Sequence, residues 1–471
     1  MSSGPEGPAP DPYTPASGST SYRVRHYDLG LDYRLASNRL AGRAVLTLTA
    51  HRELRQLELD LSGLRTTKVT SDTVRIRSFK DRAGKLLVAF RDPVPDDAEF
   101  RLDIRYEGNP APLSGIWGEV GWEELTDGVL VAGQPTGAPS WFPCNDHPSQ
   151  KAAYRFTVTT DSGYRAICNG VLVSRIDRSS RTTWVYEQAE PMATYLATVQ
   201  IGRYDLVALN DPARPAVALP AHAAPRGQGS PVPQYAAVPA SLAPAARAAL
   251  ARHHEMMTAF EERFGPYPYP QYLVVVADDE LEIPLEAQTL SIIGRNHLHQ
   301  GWDAQRLIAH ELAHQWFGNS VTAARWQDIW LHEGFACYAE WLWSEAGGST
   351  TADAHARSTH QRLAREPQDL LVGDPGARDM FDDRVYKRGA LALHALRTAA
   401  GDDAFFGLLR TWSAEYRFAT VTTPDFIALA AHELPGVAVE DLLEPWLFAE
   451  ALPALPALWT GGTAHHLFGH R

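Results

Sequence analysis

Apolar and polar positions alternate along the first part of the chain. Between residues 22 and 205, short segments that alternate or are rich in β-branched residues recur between turn signals. They include residues 45–50, 86–90, 100–106 and 154–159. A period of two is typical of strands that bury one face of a sheet. We therefore predict a large β domain over residues 22–205.

Helical spacing dominates the rest of the chain. Residues 211–233 contain many Pro, Ala and Gly residues and predict a loop or linker. Residues 239–264 predict a helical run that ends at Gly265, and residues 273–277 predict a buried strand. The predicted fold class is α+β and multidomain, with a mostly helical second domain over residues 206–456.

The two ends of the chain lack either pattern. Residues 1–21 are rich in Pro, Gly and Ser, and they have neither the basic start nor the apolar core of a secretory signal. We predict a disordered tail over residues 1–21 and a C-terminal tail over residues 457–471.

Composition narrows the class of protein. The 471 residues are 45% apolar and 21% charged, which suits two or three globular domains. The net charge of −13 argues against nucleic-acid binding, because a phosphate backbone favours clustered Lys and Arg. No apolar run approaches the roughly 18 residues that a membrane-spanning helix needs. Cys144, Cys168 and Cys337 give no disulfide framework, so we expect a reducing compartment, the cytoplasm.

One predicted helix carries a candidate metal site. It contains the sequence HELAH at residues 310–314, with Asp303 as its expected N-cap and Gly318 as its expected stop. At about 100° per residue, His310, Glu311 and His314 share one face of this helix. Histidines spaced this way bind zinc, and the intervening glutamate then serves as the general base.

Two glutamates of the next predicted helix complete this site. Glu333 would supply the third zinc ligand, since two imidazoles and one carboxylate leave the fourth position of a catalytic zinc open. Glu340 lies two turns further along on nearly the same face. It could therefore bond a metal-bound imidazole and fix its tautomer.

The sequence around these residues resembles the gluzincin aminopeptidase family, which includes aminopeptidase N and leukotriene hydrolase. The similarity covers roughly residues 22–456. It is carried by LIAHELAHQWFGN at residues 307–319, WLHEGFA at 330–336, VYKRGA at 385–390 and FPCNDHP at 142–148. The resemblance implies an N-terminal β-sheet saddle domain followed by a thermolysin-like, mostly helical zinc-peptidase domain. It also implies a short form without the C-terminal helical domain of larger members.

The resemblance implies roles for three further residues. Tyr386, at the tyrosine of a V-Y-x-K-G-A pattern, would donate a hydrogen bond to the oxyanion. Gln134 and Glu286 would hold the α-ammonium group of a peptide substrate. Glu286 lies where the family has G-x-M-E-N and this chain has IPLEA, at residues 283–287. Pro284 removes a backbone N–H there, which can alter affinity or the position of the scissile bond.

Together these residues predict a zinc-dependent aminopeptidase. We expect one zinc ion per chain, Glu311 as the general base, and peptides with a free N-terminus as substrates. Three alternatives stay open: a zinc endopeptidase, which would not need Glu286, an epoxide hydrolase that uses the same metal, and a non-catalytic peptide-binding scaffold. Survival of every metal ligand and of the base argues against the scaffold. The oligomeric state and the preferred first residue are not encoded in any of these patterns.

Overall fold

The structure, a computed structural model, describes residues 10–209 and 231–456. The predictions of a tail over residues 1–9, of a tail over residues 457–471, and of most of the loop at 211–233 lie outside the described residues.

Strands make up the first part of the described chain. They are β1 (Tyr22–Arg34), β2 (Arg39–Ala50), β3 (Leu54–Asp60), β4 (Arg65–Thr70), β5 (Ile76–Arg82), β6 (Lys85–Val94), β7 (Glu99–Gly108), β8 (Leu113–Gly115), β9 (Gly118–Leu125), β10 (Gly128–Ala132), β11 (Lys151–Asp161), β12 (Arg165–Cys168), β13 (Val171–Arg178), β14 (Arg181–Ala193) and β15 (Val199–Gly202).

These strands form three sheets. A seven-stranded sheet has the order β13-β14-β11-β1-β2-β7-β4, a five-stranded sheet has the order β12-β15-β10-β9-β8, and a third consists of β3-β6-β5. β1 alternates buried and exposed side chains along most of its length, as the apolar pattern predicts. It pairs antiparallel with β2 and parallel with β11, so the long strands stack their buried faces into one core. The predicted β domain is confirmed.

Helices dominate the second part of the described chain. Its elements are β16 (Tyr204–Ala208), β17 (Gln234–Pro239), α1 (Ala243–Ala249), α2 (His253–Phe264), β18 (Tyr272–Ala277), β19 (Leu285–Ala287), β20 (Leu290–Gly294), α3 (Trp302–Ala313), β21 (Thr322–Ala323), α4 (Trp330–Ala346), α5 (Ala352–Leu363), α6 (Asp383–Ala400), α7 (Asp402–Glu415), β22 (Thr420–Val421), α8 (Thr423–Glu433) and α9 (Val439–Leu447).

A small mixed sheet and one central helix organise this second domain. The sheet has the order β16-β17-β18-β20-β19, and every residue of β18 is buried, as the apolar run at 273–277 predicts. The run at 239–264 is split into α1 and α2 rather than forming one helix. Helix α4 is buried on all sides from Trp330 to Ser344, because α3 and α6 pack against it.

The chain segment of residues 10–21, here called the N-terminal segment, differs from the predicted disordered tail. Asp11 is fully buried, and its Oδ2 accepts a hydrogen bond of 2.7 Å from the backbone N–H of Trp326. At the other end of the segment, the N–H of Ser19 donates to Oδ1 of Asn145 at 2.7 Å. Its Pro-, Gly- and Ser-rich composition lacks a period because polar contacts, not an apolar face, hold it in place.

The predicted boundary between residues 205 and 206 stays a prediction. Sheet pairing changes at nearly the same point, because β15 pairs within the first domain while β16 pairs with β17 of the second. In the described ranges, no helix combines the length and the apolar character needed to cross a membrane.

Candidate active site

Helix α3 carries the first residues of the candidate metal site near its C-terminal end. Its N-cap is Gly301, so Asp303 lies in the first turn of the helix and not at the N-cap expected for it. In the first turn its negative charge still complements the helix dipole. The helix ends at Ala313, and His314 follows with helical dihedral angles of φ −55° and ψ −23°. Gly318, the expected stop, lies in the turn beyond with φ +119°, a conformation that favours glycine.

His310, His314 and Glu333 converge at one point. Glu333 Oε2 lies 3.2 Å from Nε2 of His310 and 3.4 Å from Nε2 of His314. All three residues are buried, and their ligating atoms lie within 4.8 Å of one another. The two helices α3 and α4 therefore bring together the three ligands that the sequence pairs only by spacing.

The far side of each imidazole is also bonded. Nδ1 of His310 donates to Oε1 of Glu340 at 2.9 Å, and Nδ1 of His314 donates to the carbonyl oxygen of Phe317 at 3.0 Å. Each bond places a proton on Nδ1, so Nε2 is the nitrogen that can bind a metal once it has lost its own proton. Glu340 thus lies at the position predicted for it.

The three donor groups fit a zinc ion. Ligands bonded to zinc at about 2.0–2.1 Å in a tetrahedron lie about 3.4 Å apart. The two distances from Glu333 to the imidazoles, 3.2 and 3.4 Å, match this spacing. Two neutral imidazoles and one carboxylate also form the donor set that zinc hydrolases use. The centre that these two helices build is that of a metallohydrolase.

Burial and close opposite charges shape the electrostatics of the ligands. Burial opposes charge on Glu333, but His314 and His310 outweigh it and hold the pKa of that carboxyl below its usual range. Burial likewise opposes charge on the imidazoles, but carboxylates outweigh it and raise the pKa of His310 to about 9 and of His314 to about 10. The raised pKa values mean that protons on His310 and His314 balance the charge of Glu333, and a bound metal cation would replace them.

Glu311 occupies the position expected of the general base. It is 4% exposed, and burial together with Glu286 and Glu333 raises the pKa of its carboxyl to about 8, against the opposing effect of the two histidines. Its Oε2 has no hydrogen-bond partner among the described residues. An oxygen of this kind, buried and unpaired beside a metal site, is placed to accept a proton from a reacting water.

Tyr386 lies over the ring of one metal ligand, His310. Its ring is 6.0 Å from that of His310, centroid to centroid, and nearly parallel to it. Tyr386 is on α6, which packs closely on α4 because Gly334 of α4 faces Gly389 of α6. A Cβ added to either glycine would lie 3.0 Å from the backbone of the other helix. Burial and the carboxylates of the site raise the pKa of Tyr386, so its hydroxyl stays protonated and can donate a hydrogen bond.

Glu286 lies on β19, beside the metal ligands. Burial raises the pKa of its carboxyl, His314 opposes the shift, and Glu333 adds to it, which places all three charges in one electrostatic group. Gln134 follows β10 in the β domain, and its buried Nε2 has no hydrogen-bond partner among the described residues. The structure gives no direct contact between Gln134 and Glu286.

Two residues of the HELAHQWFGN sequence bond the strand that carries Glu286. Gln315 Nε2 and Asn319 Nδ2 both donate to the carbonyl oxygen of Ala287, at 3.0 and 3.1 Å. Spacing alone does not show this role. The signal available in the sequence is that both residues lie inside the motif, one and five positions after the second histidine.

Comparisons with known proteins agree with this centre. The sequence model described as the peptidase family M1 domain matches residues 248–446, and the one described as the peptidase M1 N-terminal domain matches residues 23–196. The chain belongs to peptidase family M1.

Solved structures show the same fold over nearly the whole chain. The crystal structure of an M1 zinc metallopeptidase from Deinococcus radiodurans is 30% identical, has a TM-score of 0.84, and is matched over 97% of this chain and 100% of that one. A substituted form of that protein, bound to a Tyr-Ser-Ala substrate, is 29% identical with a TM-score of 0.84, over 95% of this chain and 99% of that one. The predicted fold class, family and zinc cofactor are confirmed.

Curated relatives are named as aminopeptidases. The leucyl aminopeptidase of Saccharolobus solfataricus is 22% identical over 457 residues, which cover 92% of this chain and 54% of that protein. The glutamyl aminopeptidase of Homo sapiens is 25% identical, over 91% of this chain and 47% of that protein. The chain thus spans about half the length of the curated relatives it matches.

Proposed function

We propose that this protein is a zinc-dependent aminopeptidase that releases the N-terminal residue of peptides. One observation carries the proposal: the half-buried carboxyl of Glu286, on β19, interacts electrostatically with the ligands His314 and Glu333. A free α-ammonium group needs a fixed anion at a set distance from the scissile carbonyl. A carboxylate beside the metal ligands meets that need. By holding the α-ammonium group there, it would place the first peptide bond of the substrate at the metal.

The metal ligands and the base have separate roles. His310, His314 and Glu333 would hold the zinc ion, which when bound supplies a Lewis acid for the reaction. Glu311 accepts a proton from the attacking water and delivers it to the leaving amine. Tyr386 donates a hydrogen bond to the oxyanion of the tetrahedral intermediate, where negative charge develops.

Glu286 and Gln134 would bind the substrate's N-terminus. The carboxylate of Glu286 offers charge and two acceptor oxygens, and the amide oxygen of Gln134 offers a neutral acceptor. The similar metallopeptidase from Deinococcus radiodurans that is bound to a Tyr-Ser-Ala substrate supports peptides as the substrate class. The curated relatives named as aminopeptidases support cleavage at the N-terminus.

Digestion of a mixed peptide library, half of it N-acetylated, tests this function. We expect mass spectrometry to show stepwise loss of single residues from free N-termini and no cleavage of the acetylated half. A chelator should abolish the activity, and added zinc should restore it. Equal cleavage of both halves would favour an endopeptidase. A zinc-loaded protein that cleaves neither half would contradict peptidase activity.

We also keep the cytoplasm as the proposed compartment. All three cysteines of the chain, Cys144, Cys168 and Cys337, are free and buried. Free buried thiols without disulfides are typical of proteins in a reducing environment. Recovery of the native protein in a cytosolic fraction would support the assignment, and recovery from culture medium would contradict it.

A further inference from the structure

A tight turn lies in the stretch between α3 and α4, the two helices of the metal ligands. This turn, residues 318–322, is bonded back to the end of α3, because the N–H of Asn319 donates to the carbonyl oxygen of His314, the residue after the helix, at 3.0 Å. Its conformation depends on Gly318, where an added Cβ would lie 3.2 Å from Nδ1 of His314. The position of this turn therefore controls how the end of α3 presents His314.

The side chain that holds the turn comes from the other domain. Lys151, the first residue of β11, is 3% exposed. Its Nζ donates to the carbonyl oxygens of Asn319 and Ser320, at 3.0 and 2.8 Å. A third bond, of 2.9 Å, reaches Oγ1 of Thr322. Three acceptors match the three N–H bonds of an ammonium group.

The chemistry of this contact is unusual for a purely structural lysine. Its acceptors are neutral, and burial lowers the pKa of Lys151 to about 7. An apolar side chain of similar volume would fill the same space without the desolvation that a buried cation suffers. What only the lysine provides is one Nζ within hydrogen-bond distance of three acceptors in a turn of the catalytic domain, to which the ammonium donates three bonds and the neutral amine two.

Two paths lead from this turn to the site. On one path, the carbonyl oxygen of Phe317, immediately before the turn, accepts from Nδ1 of His314. On the other, Asn319 within the turn donates to the carbonyl oxygen of Ala287, the neighbour of Glu286. The turn that Lys151 holds is therefore bonded both to the metal ligand His314 and to the strand that carries Glu286.

The third ligand is linked to the same region. The N–H of Ala323, the residue after Thr322, donates to Nε2 of His332 at 2.7 Å, and His332 precedes Glu333 on α4. The hydroxyl of Tyr195, from the β domain, adds a bond of 3.1 Å to the carbonyl oxygen of Gly318. The β domain thus contacts the turn through two side chains, Lys151 and Tyr195.

We propose that Lys151 is a positioning residue of the active site, which fixes turn 318–322 so that His314 meets the metal and Glu286 meets the substrate's N-terminus. The inference rests on the proposed function, since Glu286 has this meaning only for an aminopeptidase. Lys151 thus gives the β domain a second influence on the active site, separate from the proposed substrate contact of Gln134.

Lys151→Met tests this proposal, with Lys85→Met as a matched control. Lys85 is also a poorly exposed lysine of the β domain, but it pairs with Asp60. In Lys151→Met we expect a zinc-release rate to a chromophoric chelator raised about tenfold or more. We also expect a smaller preference for free over N-acetylated peptides, with melting temperature near that of the wild type. The control should keep the wild-type release rate and preference.

Two further variants keep the test decisive if Lys151→Met does not fold. Thr322→Val removes one acceptor of Lys151 and also the bond of 2.7 Å that the hydroxyl donates to the carbonyl oxygen of Gly318. Because the acceptors on Asn319 and Ser320 remain, it should shift both readouts in the same direction, by less. Asn319→Ala breaks only the bond to Ala287, so it should reduce the peptide preference and leave zinc release unchanged. Wild-type zinc release and preference in Lys151→Met, or in Thr322→Val if the former does not fold, would overturn the proposal.

The wild-type protein separates this inference from the proposed function. If the wild type cleaves free N-termini and Lys151→Met behaves like it, the positioning role fails and the aminopeptidase stands. If the wild type cleaves no peptide, the aminopeptidase fails, and the zinc-release rates still decide whether Lys151 positions the ligands.

Discussion

Nδ1 of His310 lies 2.9 Å from Oε1 of Glu340, although 30 positions of sequence separate the two residues. Glu340 is itself held by cations, because Arg306 and Lys387 lie 3.6 and 3.7 Å from its other oxygen. Burial opposes charge on Glu340, but Lys387 and His310 outweigh it and lower the pKa of its carboxyl. A charged partner therefore orients the first ligand and raises its basicity.

Glu340→Gln should weaken zinc binding about 10–100-fold, because the amide is a poorer acceptor and can present its N–H₂ to the imidazole instead. Competition with a chromophoric chelator measures this affinity. Glu345→Gln is the matched control, since Glu345 lies on the same helix but bonds Arg397. Equal affinities in the two variants would remove the role of Glu340.

Glu311→Gln should retain zinc and lose turnover, with kcat reduced about 10²–10⁴-fold, because the amide cannot accept the proton. His310→Ala should instead lose the metal. Zinc per chain, measured by atomic emission, distinguishes the two variants. A Glu311→Gln protein with wild-type kcat would contradict its role as the base.

Tyr386→Phe should lower kcat about 10²–10³-fold with little change in KM, because the lost hydrogen bond forms mainly in the transition state. Steady-state kinetics on a free peptide amide measure both constants. Tyr416→Phe is a suitable control, because that ring packs on Trp412, away from the metal ligands. An unchanged kcat would refute the oxyanion role.

Glu286→Gln should reduce kcat/KM for peptides with a free N-terminus about 10–100-fold, because it removes a charge-assisted hydrogen bond. Any slow cleavage of N-acetylated peptides should be unaffected. Glu282→Gln, at an exposed position four residues earlier in the loop before β19, is the control. If both peptide classes are affected equally, Glu286 does not read the ammonium group.

Stability should depend on pH through Lys151. Burial lowers the pKa of its ammonium from 10.5 to about 7 in the folded chain. Between these values the unfolded chain binds a proton that the folded chain does not, so the free energy of unfolding rises with pH, by up to about 1.4 kcal/mol per unit. His332 is coupled to Lys151 but stays neutral in this window, because burial lowers its pKa to about 3.

Denaturant unfolding between pH 7.5 and 9.5 measures this slope. Lys151→Met lacks the titrating group, so its free energy of unfolding should rise less steeply with pH than that of the wild type. Both proteins must carry the same zinc content, because zinc binding has its own pH dependence. Parallel slopes in the two proteins would show that Lys151 does not titrate in this range.

Local spacing was enough to predict the metal site. His310 and His314 lie one turn apart, and Glu333 and Glu340 lie two turns apart on a second helix, so helical geometry alone places each pair on one face. The period of two likewise explains the β domain, because alternation is written directly into its strands. The roles of Tyr386 and Glu286 required the resemblance, since no spacing rule connects them to the metal.

Contacts between distant segments could not be predicted in this way. Lys151 reaches Asn319 across 168 positions, and its approach depends on how two domains pack. Neither residue belongs to a periodic pattern that points to the other. The N-cap of α3 is Gly301 and not the predicted Asp303, for a related reason. The preceding loop sets the backbone conformation at the start of a helix, even when a better capping residue is nearby.

The N-terminal segment has a practical consequence for making this protein. The match to the M1 N-terminal domain begins at residue 23, which invites expression from that point. Such a protein would lack two hydrogen bonds: the one that Asp11 accepts from the N–H of Trp326 in the catalytic domain, and the one that the N–H of Ser19 donates to Asn145 in the β domain. Affinity tags and cloning boundaries are therefore better placed before residue 10 than at the edge of the family domain.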